Sequence, residues 1–311
     1  MYESLPEHIR VFIANSFDLT NIQLAEKYQT NITQIQAWKE DVRKLGHVVG
    51  TGFPKSPTED YDKYIDIKYD RVLVIGDCEI PDHDDEMFSM AIDLAHRFNI
   101  KHLIINGDFV ALDPFSSWPK TTHHTLDFSK ELEIVENTIY TFLRYFKTID
   151  YVTGNHERRL PYKTEGNVNM GFFLRHLEDV TFSEYSYCFL ESGDEEIIVC
   201  HQDNFGRNSQ SVPAKIAGIE LKNILCGHTH RLSFGYHESA KFWTVDGGHC
   251  RNPVKTSYKA RRINTYPKWN SGFVMIIDGY PYLIDKRGFN FWMNVAPTES
   301  FFKSTREIGL V

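Results

Sequence analysis

The chain has 311 residues, with 42 acidic and 34 basic side chains, so its formal net charge at pH 7 is −8. Apolar residues make up 41% of the chain and charged residues 24%, which is ordinary for a folded globular protein and argues against disorder as the main state. The negative charge argues against a protein dedicated to coating nucleic acid. The length fits one large domain with a small appendage, or two modest domains.

The sequence predicts a cytoplasmic protein with no membrane partner. Nowhere do 18 apolar residues follow one another, and the first ten residues, MYESLPEHIR, do not resemble a signal peptide. The five cysteines are far apart and form no C-x-x-C pair, which favours a reducing compartment over a disulfide framework or a thiolate zinc site.

Residues 1–50 are predicted to form a small helical domain. Apolar residues recur near a 3.6-residue period from Ile22 to Leu45, and the period breaks near Thr30 and Asn31, either of which can cap a second helix. Two short helices joined by a tight turn resemble a helix-turn-helix.

This helical segment has two interpretations. If it binds DNA, polar residues of the second helix would face the groove, namely Thr33, Gln34, Gln36 and Lys39. Alternatively it packs against the rest of the chain or joins two copies into a homodimer. Residues 1–50 hold five basic and six acidic side chains, which is poor for attracting phosphates.

Residues 51–70 are predicted to be a linker and residues 71–311 one α/β domain. From residue 71 onward, short runs rich in Val and Ile end abruptly at Gly, Asp or His, and two helical segments separate the first three runs. The runs are RVLVIG, HLIING, DYVTG, EIIVCH and NILCG. Later segments, RLSFGYHE, KFWTVDG and SGFVMIIDGYPYLID, are β-like, and the last predicts a hairpin at Asp278-Gly279.

Polar side chains follow five of the predicted strands, at the edge where open α/β sheets bind their ligands. These side chains are Asp77 and Glu79, Asp108, Asn155 and His156, His201, and His228 and His230. Packing does not explain them, because buried carboxylates and amides are costly unless they are paired or bind a metal ion.

A set of oxygen and nitrogen donors suits Mn²⁺, Fe or Zn²⁺ better than Ca²⁺. The set is larger than one ion needs, and two ions that share a carboxylate would use it. Such a pair generates a hydroxide at neutral pH and clamps a phosphate. We therefore expect a phosphoester hydrolase with two divalent ions, Mn²⁺ foremost and Fe, Zn²⁺ or Mg²⁺ as alternatives, in which a metal-bound hydroxide attacks phosphorus.

The same residues resemble the pattern of the calcineurin-like metallophosphoesterase family, in which D-x-H, GD, GNHE, a single His and GHxH each follow a strand. The matching stretches are DCE at 77–79, GD at 107–108, GNHE at 154–157, His201 and GHTH at 227–230, and the resemblance covers about residues 71–285. It implies a four-layer α/β/β/α sandwich with a dinuclear metal site. The family includes nucleases of double-strand-break repair and compact phage proteins.

The resemblance also implies a role for each matched residue. It places Asp77 and His230 at the first metal, Asp108 between the metals, and Asn155, His201 and His228 at the second. It makes His156 the residue that stabilises charge or protonates the leaving group, and Glu157 a residue that orients its neighbours.

The first motif departs from the family pattern, because Glu79 stands where a histidine is expected. A carboxylate can also bind a metal ion, and its negative charge would favour Mn²⁺ or Mg²⁺. Glu79→His would then preserve or raise activity. Alternatively His83 takes its place, or the first metal site is weak or empty.

Three side chains near these motifs are candidates for substrate binding. Trp118, in the long segment after GD, would stack on a base or else cover the core. Arg158 and Arg159, which follow GNHE, would grip a phosphate or else form a solvated surface pair.

Residues 251–270 form a basic segment in an acidic protein. The segment carries six basic residues, among them Arg261 and Arg262, with no acidic residue and three interleaved aromatics. This composition is typical of a nucleic-acid groove. A solvated loop is the alternative.

Three hypotheses of function remain open on this sequence. The first is a nuclease or phosphodiesterase with DNA as substrate. The second is a phosphatase or phosphodiesterase for small nucleotides or phosphoproteins, and it predicts turnover of small esters. The third is a non-catalytic DNA-binding protein with a degraded site, and it predicts no metal-dependent turnover.

Overall fold

The structure, a computed structural model, describes residues 19–44, 49, 64–117, 126–206, 208–255 and 269–295. The chain divides into two compact units, residues 1–63 and 64–311. None of the helices in the described ranges is long and apolar enough to cross a membrane.

The described residues of the N-terminal unit form two helices, α1 (Asn21–Lys27) and α2 (Ile32–Lys44). At the start of α1, the hydroxyl of Thr20 accepts the backbone N–H of Gln23 at 3.1 Å, and the side chain of Gln23 accepts the backbone N–H of Thr20 at 2.9 Å. The side chain of Asn31 accepts the backbone N–H of Gln34 at 2.8 Å. The predicted cap of the second helix is therefore confirmed, with Asn31 in that role.

Lys39 does not face solvent, contrary to the expectation that it would face a DNA groove. Its exposed fraction is 4%, whereas Thr33 and Gln36 are exposed. Lys39 lies four residues after Ile35 and three before Val42, so it shares the helix face of these buried apolar residues.

The second unit contains two six-stranded sheets. Sheet I has the strand order β1 (Ile65–Lys68), β6 (Tyr187–Ser192), β7 (Glu195–Cys200), β8 (Asn223–Cys226), β10 (Trp243–Gly247) and β9 (Leu232–Tyr236). Sheet II has the order β12 (Tyr280–Ile284), β11 (Phe273–Ile277), β2 (Arg71–Ile75), β3 (His102–Asn106), β4 (Thr148–Val152) and β5 (Val180–Ser183). Neighbours among β2, β3, β4 and β5 are parallel, as are β7 with β8 and β8 with β10.

Helices cover the outer faces of both sheets. They are α3 (Asp85–Arg97), α4 (Phe128–Leu143), α5 (Arg159–Lys163), α6 (Met170–Leu174), α7 (Ser211–Glu220) and α8 (Lys286–Asn294), with a 3-10 turn at Asp113–Phe115. The inner faces of the sheets pack on each other, whereas the other face of sheet II packs on α3 and α4, and that of sheet I on α7. The expected four-layer α/β/β/α sandwich is confirmed.

Strand β2 shows why the strands are apolar throughout. Val72 and Val74 point into the core between the sheets, and Leu73 and Ile75 point into the core beneath the helices. Successive side chains of a strand point to opposite faces, so a strand covered on both faces needs apolar residues at every position.

The globular unit begins earlier than expected, because β1 lies within the predicted linker. Residues 65–68 pair in parallel with β6, where Ile65 lies opposite Cys188. This strand has only four residues, IDIK, and its single apolar–polar alternation is too short to stand out from the predicted linker. Residues 51–63 of the predicted linker lie outside the described part of the chain.

Candidate metal centre

The site lies where the carboxyl ends of parallel strands from both sheets meet. Strands β2, β3 and β4 supply Asp77, Asp108 and Asn155 from sheet II, and β7 and β8 supply His201 and His228 from sheet I. Gly107 follows β3 with φ of +68°, and a Cβ there would lie 2.5 Å from the ring of His201. A glycine is therefore required for the two sheets to approach each other at this point.

One group of side chains gathers tightly enough to hold a cation. Ligand atoms of Asp108, His201 and His228 all lie within 4.8 Å of one another. His201 Nε2 is 3.3 Å from Asp108 Oδ2 and 3.3 Å from Asn155 Oδ1. The residues expected at the second metal thus meet around a common centre.

His201 is oriented by a backbone carbonyl. Its Nδ1 lies 2.8 Å from the carbonyl oxygen of Asn106, and its side chain is completely buried. Because a carbonyl oxygen only accepts hydrogen bonds, Nδ1 carries a proton, and Nε2 is the atom that faces Asp108. This is the tautomer that a metal-binding histidine needs.

The electrostatics of this group favour a positive charge. Burial opposes ionisation of Asp108, but the imidazoles of His156 and His201 hold the pKa of its carboxyl well below its usual range. Burial lowers the pKa of His201, but the carboxylates of Asp108 and Asp77 outweigh burial and raise that pKa to about 10. The same field that holds a proton on this imidazole attracts a metal ion.

A second group lies at the ends of β2 and β8. His230 Nε2 is 3.1 Å from Asp77 Oδ1 and 3.3 Å from Glu79 Oε1. Both oxygens of Asp77 also accept the backbone N–H of His228, at 3.1 and 2.9 Å. The three residues that would form the first metal site are therefore neighbours, and all three are buried.

Most of these residues have an unusual backbone conformation. Five of the seven expected ligands have positive φ, namely Asp77 (50°), Glu79 (47°), Asp108 (46°), His228 (80°) and His230 (56°). Residues other than glycine rarely adopt this left-handed conformation, and such strain clusters at functional sites. The chain therefore turns sharply just after β2, β3 and β8, where these five residues lie.

Glu157 holds the backbone around Asp108 in place. Its buried carboxylate accepts the backbone N–H groups of Asp108, Phe109, Val110 and Gly154, and the hydroxyl of Tyr151. A Cβ on Gly154 would overlap with both the backbone nitrogen and Oδ1 of Asp108. The GD and GNHE turns are thus held together by one carboxylate and one glycine.

His156 lies beside the same carboxylate. Its backbone N–H donates to Asp108 Oδ1 at 2.8 Å, and its Nε2 is 3.6 Å from Asp108 Oδ2. The imidazole therefore faces the gathered donors and can exchange a proton with a group bound there.

The two arginines after GNHE are bound to acidic partners. Arg158 forms an ion pair with Asp203, and Arg159 donates to the carbonyl of Ala111 at 2.5 Å and lies 3.3 Å from Asp113. Trp118, Arg261 and Arg262 lie outside the described residues. Of these five candidates the structure describes Arg158 and Arg159, and it gives both of them protein partners.

His83, the alternative to Glu79 at the first metal, contacts residues of α3. Its Nε2 lies 3.1 Å from Asp85, and its ring stacks on Phe88 with centroids 5.0 Å apart. These contacts hold the ring of His83 at the start of α3.

Three residues that the sequence did not assign to the site lie in it. Arg251 forms a buried ion pair with Glu79, although it was expected to belong to a nucleic-acid groove. The ring of Trp269 lies 4.3 Å from that of His230, and the ring of Phe205 lies 5.5 Å from that of His228. Of these three residues, only Phe205 has a signal in the sequence, because it lies four residues after His201.

The donors fit divalent ions. Carboxylate, amide and imidazole groups are suitable ligands for Mn²⁺, Fe or Zn²⁺, and the buried carboxylates here leave negative charge to neutralise. The residues that would hold a first ion are Asp77, Glu79, His230 and Asp108, and those that would hold a second are Asp108, Asn155, His201 and His228.

No protein-family model and no curated protein matches the chain. Among solved structures it is similar to Vps29 of Chaetomium thermophilum (14% identity, 70% of this chain and 92% of that chain, TM-score 0.39) and to Vps29 of Entamoeba histolytica complexed with Zn²⁺ (15%, 68% and 92%, 0.36). It is also similar to a predicted phosphoesterase of Streptococcus pneumoniae (15%, 70% and 97%, 0.29).

Proposed function

We propose that the chain is a metal-dependent phosphoester hydrolase. The observation that carries this proposal is the convergence of Asp108, His201 and His228 within 4.8 Å at the ends of strands from two different sheets. A structural role alone does not account for it, since the fold places strained, buried polar residues here rather than apolar ones.

Divalent ions in such a centre supply Lewis acidity, lower the pKa of a bound water and neutralise phosphate charge. The protein then has two tasks. Asp108 and the imidazoles supply the donor atoms. Glu157 and the carbonyl of Asn106 hold them in position. His156 Nε2 donates a proton to the oxygen of the leaving group, or stabilises charge on the phosphoryl group.

The substrate that we propose is a phosphodiester that carries a nucleobase, with DNA as the polymeric form. Phe205 is 52% exposed beside His228, and Trp269 packs against His230. Two aromatic rings that flank a metal centre give a base a surface to stack on. The exposed Thr33 and Gln36 of α2 support DNA contact by the N-terminal unit as part of the same proposal.

A small nucleotide or phosphoprotein substrate is the second candidate. The observations that favour it are the burial of Lys39 and the ion pairs of Arg158 and Arg159, which leave fewer of the expected cations to contact a polymer.

The test is Mn²⁺-dependent hydrolysis of a chromogenic phosphodiester and a phosphomonoester by the full chain, with Asp108→Asn in parallel. Diester turnover that is lost in the variant supports the proposal. A preference for single-stranded DNA over the chromogen supports a nuclease, whereas a monoester preference supports the second candidate. No turnover with Mn²⁺, Fe²⁺, Zn²⁺ or Mg²⁺ would overturn the proposal and favour a non-catalytic DNA-binding protein.

A further inference from the structure

The ion pair between Glu79 and Arg251 distinguishes this site from the pattern that its motifs resemble. Both side chains are almost completely buried, with exposed fractions of 5% and 7%. Arg251 Nη1 contacts Glu79 Oε2, and Arg251 Nη2 binds Asp82 Oδ2 at 2.8 Å. The guanidinium is thus fixed between two carboxylates at the edge of the first donor group.

The two oxygens of Glu79 face different partners. Oε2 is held by the guanidinium, whereas Oε1 lies 3.3 Å from His230 Nε2. His230 Nε2 is in turn 3.1 Å from Asp77 Oδ1. One oxygen of Glu79 is therefore directed at the other donors of the first group, in the position of a ligand that binds through a single atom.

The backbone around Arg251 is tied to the segment that carries Glu79. The backbone N–H of Cys250 donates to the carbonyl of Gly76 at 3.2 Å, and that of Asn252 donates to the carbonyl of Asp82 at 2.8 Å. These bonds on either side of Arg251 fix where its side chain begins. The fold therefore determines where the guanidinium lies.

Charge explains why an arginine accompanies a glutamate here. A neutral imidazole at this position would leave the first donor group with the charge of Asp77 and Asp108 alone, whereas a glutamate adds one negative charge. The guanidinium of Arg251 cancels that charge at the distance of an ion pair. Glutamate and arginine together are thus equivalent in net charge to the histidine that the motif lacks.

We propose that Arg251 is a positioning residue for the first metal ion, which holds Glu79 as a single-oxygen ligand and neutralises its charge. This inference rests on the proposed function, because it concerns the same centre. It changes the expectation for Glu79→His. The single substitution leaves a buried guanidinium without its glutamate beside a cation site, so the first ion binds poorly unless Arg251 is replaced as well.

The experiment measures Mn²⁺ stoichiometry and affinity of the full chain by titration calorimetry, independently of turnover. We expect two ions for the wild type. We expect at least tenfold weaker binding of one ion in Arg251→Met and in Glu79→His, and recovery of that ion in the double variant. Arg251→Lys, which keeps the charge but not the two-pronged contact, should show an intermediate affinity.

Arg97→Met is the matched control, since this arginine donates to the carbonyl of Val295 and belongs to neither donor group. It should keep both ions. Two ions of unchanged affinity in Arg251→Met would overturn the inference, as would a double variant no better than either single one, or a wild type that binds one ion. A wild type that binds two ions and hydrolyses no phosphoester would contradict only the proposed function.

Discussion

The carboxylate of Glu157 accepts the backbone N–H of Asp108 at 2.9 Å, although the two residues are 49 positions apart in the chain. The same carboxylate oxygen accepts the backbone N–H of Gly154 at 2.8 Å. The other oxygen accepts the backbone N–H of Phe109 at 2.9 Å and the hydroxyl of Tyr151 at 2.6 Å. One buried anion therefore fixes the turn that presents Asp108 relative to the turn that presents the neighbouring ligand.

Glu157→Gln should destabilise the fold. Both oxygens of Glu157 accept hydrogen bonds. In either orientation of the glutamine, the NH₂ group would replace one of these oxygens and face N–H or O–H donors. We expect a loss of about 3 kcal/mol in the free energy of unfolding, measured with urea. Tyr151→Phe removes a single donor from the same carboxylate and should cost about 1 kcal/mol. Equal stability of Glu157→Gln and wild type would contradict the bracing role.

Asp108→Asn should abolish both metal binding and turnover. Asp108 Oδ2 lies 3.3 Å from His201 Nε2, and its charge raises the pKa of this imidazole. The neutral amide removes that charge while it keeps the shape. Metal content after dialysis, measured by mass spectrometry, should fall to less than one ion per chain. A variant that keeps its full metal content would show that the donors are held by other residues.

His156→Ala should lower the rate and leave the metal content near that of the wild type. The imidazole faces Asp108 at 3.6 Å but belongs to neither donor group, and general acid catalysis contributes typically ~10²–10⁴-fold. Turnover of an ester with a poor leaving group should fall more than turnover of one with a good leaving group. Equal rates for variant and wild type would remove His156 from the mechanism.

Each residue that the sequence singled out as a candidate ligand follows an apolar strand, and the structure brings Asp108, His201 and His228 within 4.8 Å of one another. The apolar runs before Asp108 and His201 are covered on both faces, so they are continuous, and the polar residue that ends each run stands out. Parallel neighbours then bring these ends to one edge. Local pattern and topology together therefore predict that these side chains lie close to one another.

The same reasoning failed for Arg251 and Lys39. Arg251 belongs to a basic segment by composition, but its ion pair with Glu79 joins residues 172 positions apart. Lys39 is polar, yet the helix places it on the face of Ile35 and Val42. In both cases a tertiary contact decides whether a cation is exposed, and no local pattern contains that contact.

The last prediction concerns pH and Asp150, on the face of β4 that is turned towards sheet I. The side chain is 3% exposed, and its Oδ2 accepts the hydroxyl of Tyr69 at 3.1 Å. Burial raises the pKa of this carboxyl to about 6 despite the opposing hydrogen bond. In the unfolded chain the pKa is about 4, so the native state binds more protons between these values. The contribution of Asp150 to the free energy of unfolding is thus greatest at low pH and decreases as the pH rises from about 4 to about 6.

Asp150→Asn removes this pH dependence, because the amide is neutral throughout. The stability of the variant relative to wild type should increase from pH 4.5 to pH 7. At ~1.4 kcal/mol per pKa unit, the increase is at most about 3 kcal/mol. Urea unfolding at both pH values measures it. Asp66→Asn, which removes the same charge at an exposed position of β1, is the matched control. A difference between Asp150→Asn and wild type that is the same at pH 4.5 and pH 7 would mean that Asp150 ionises in the folded protein as easily as in water.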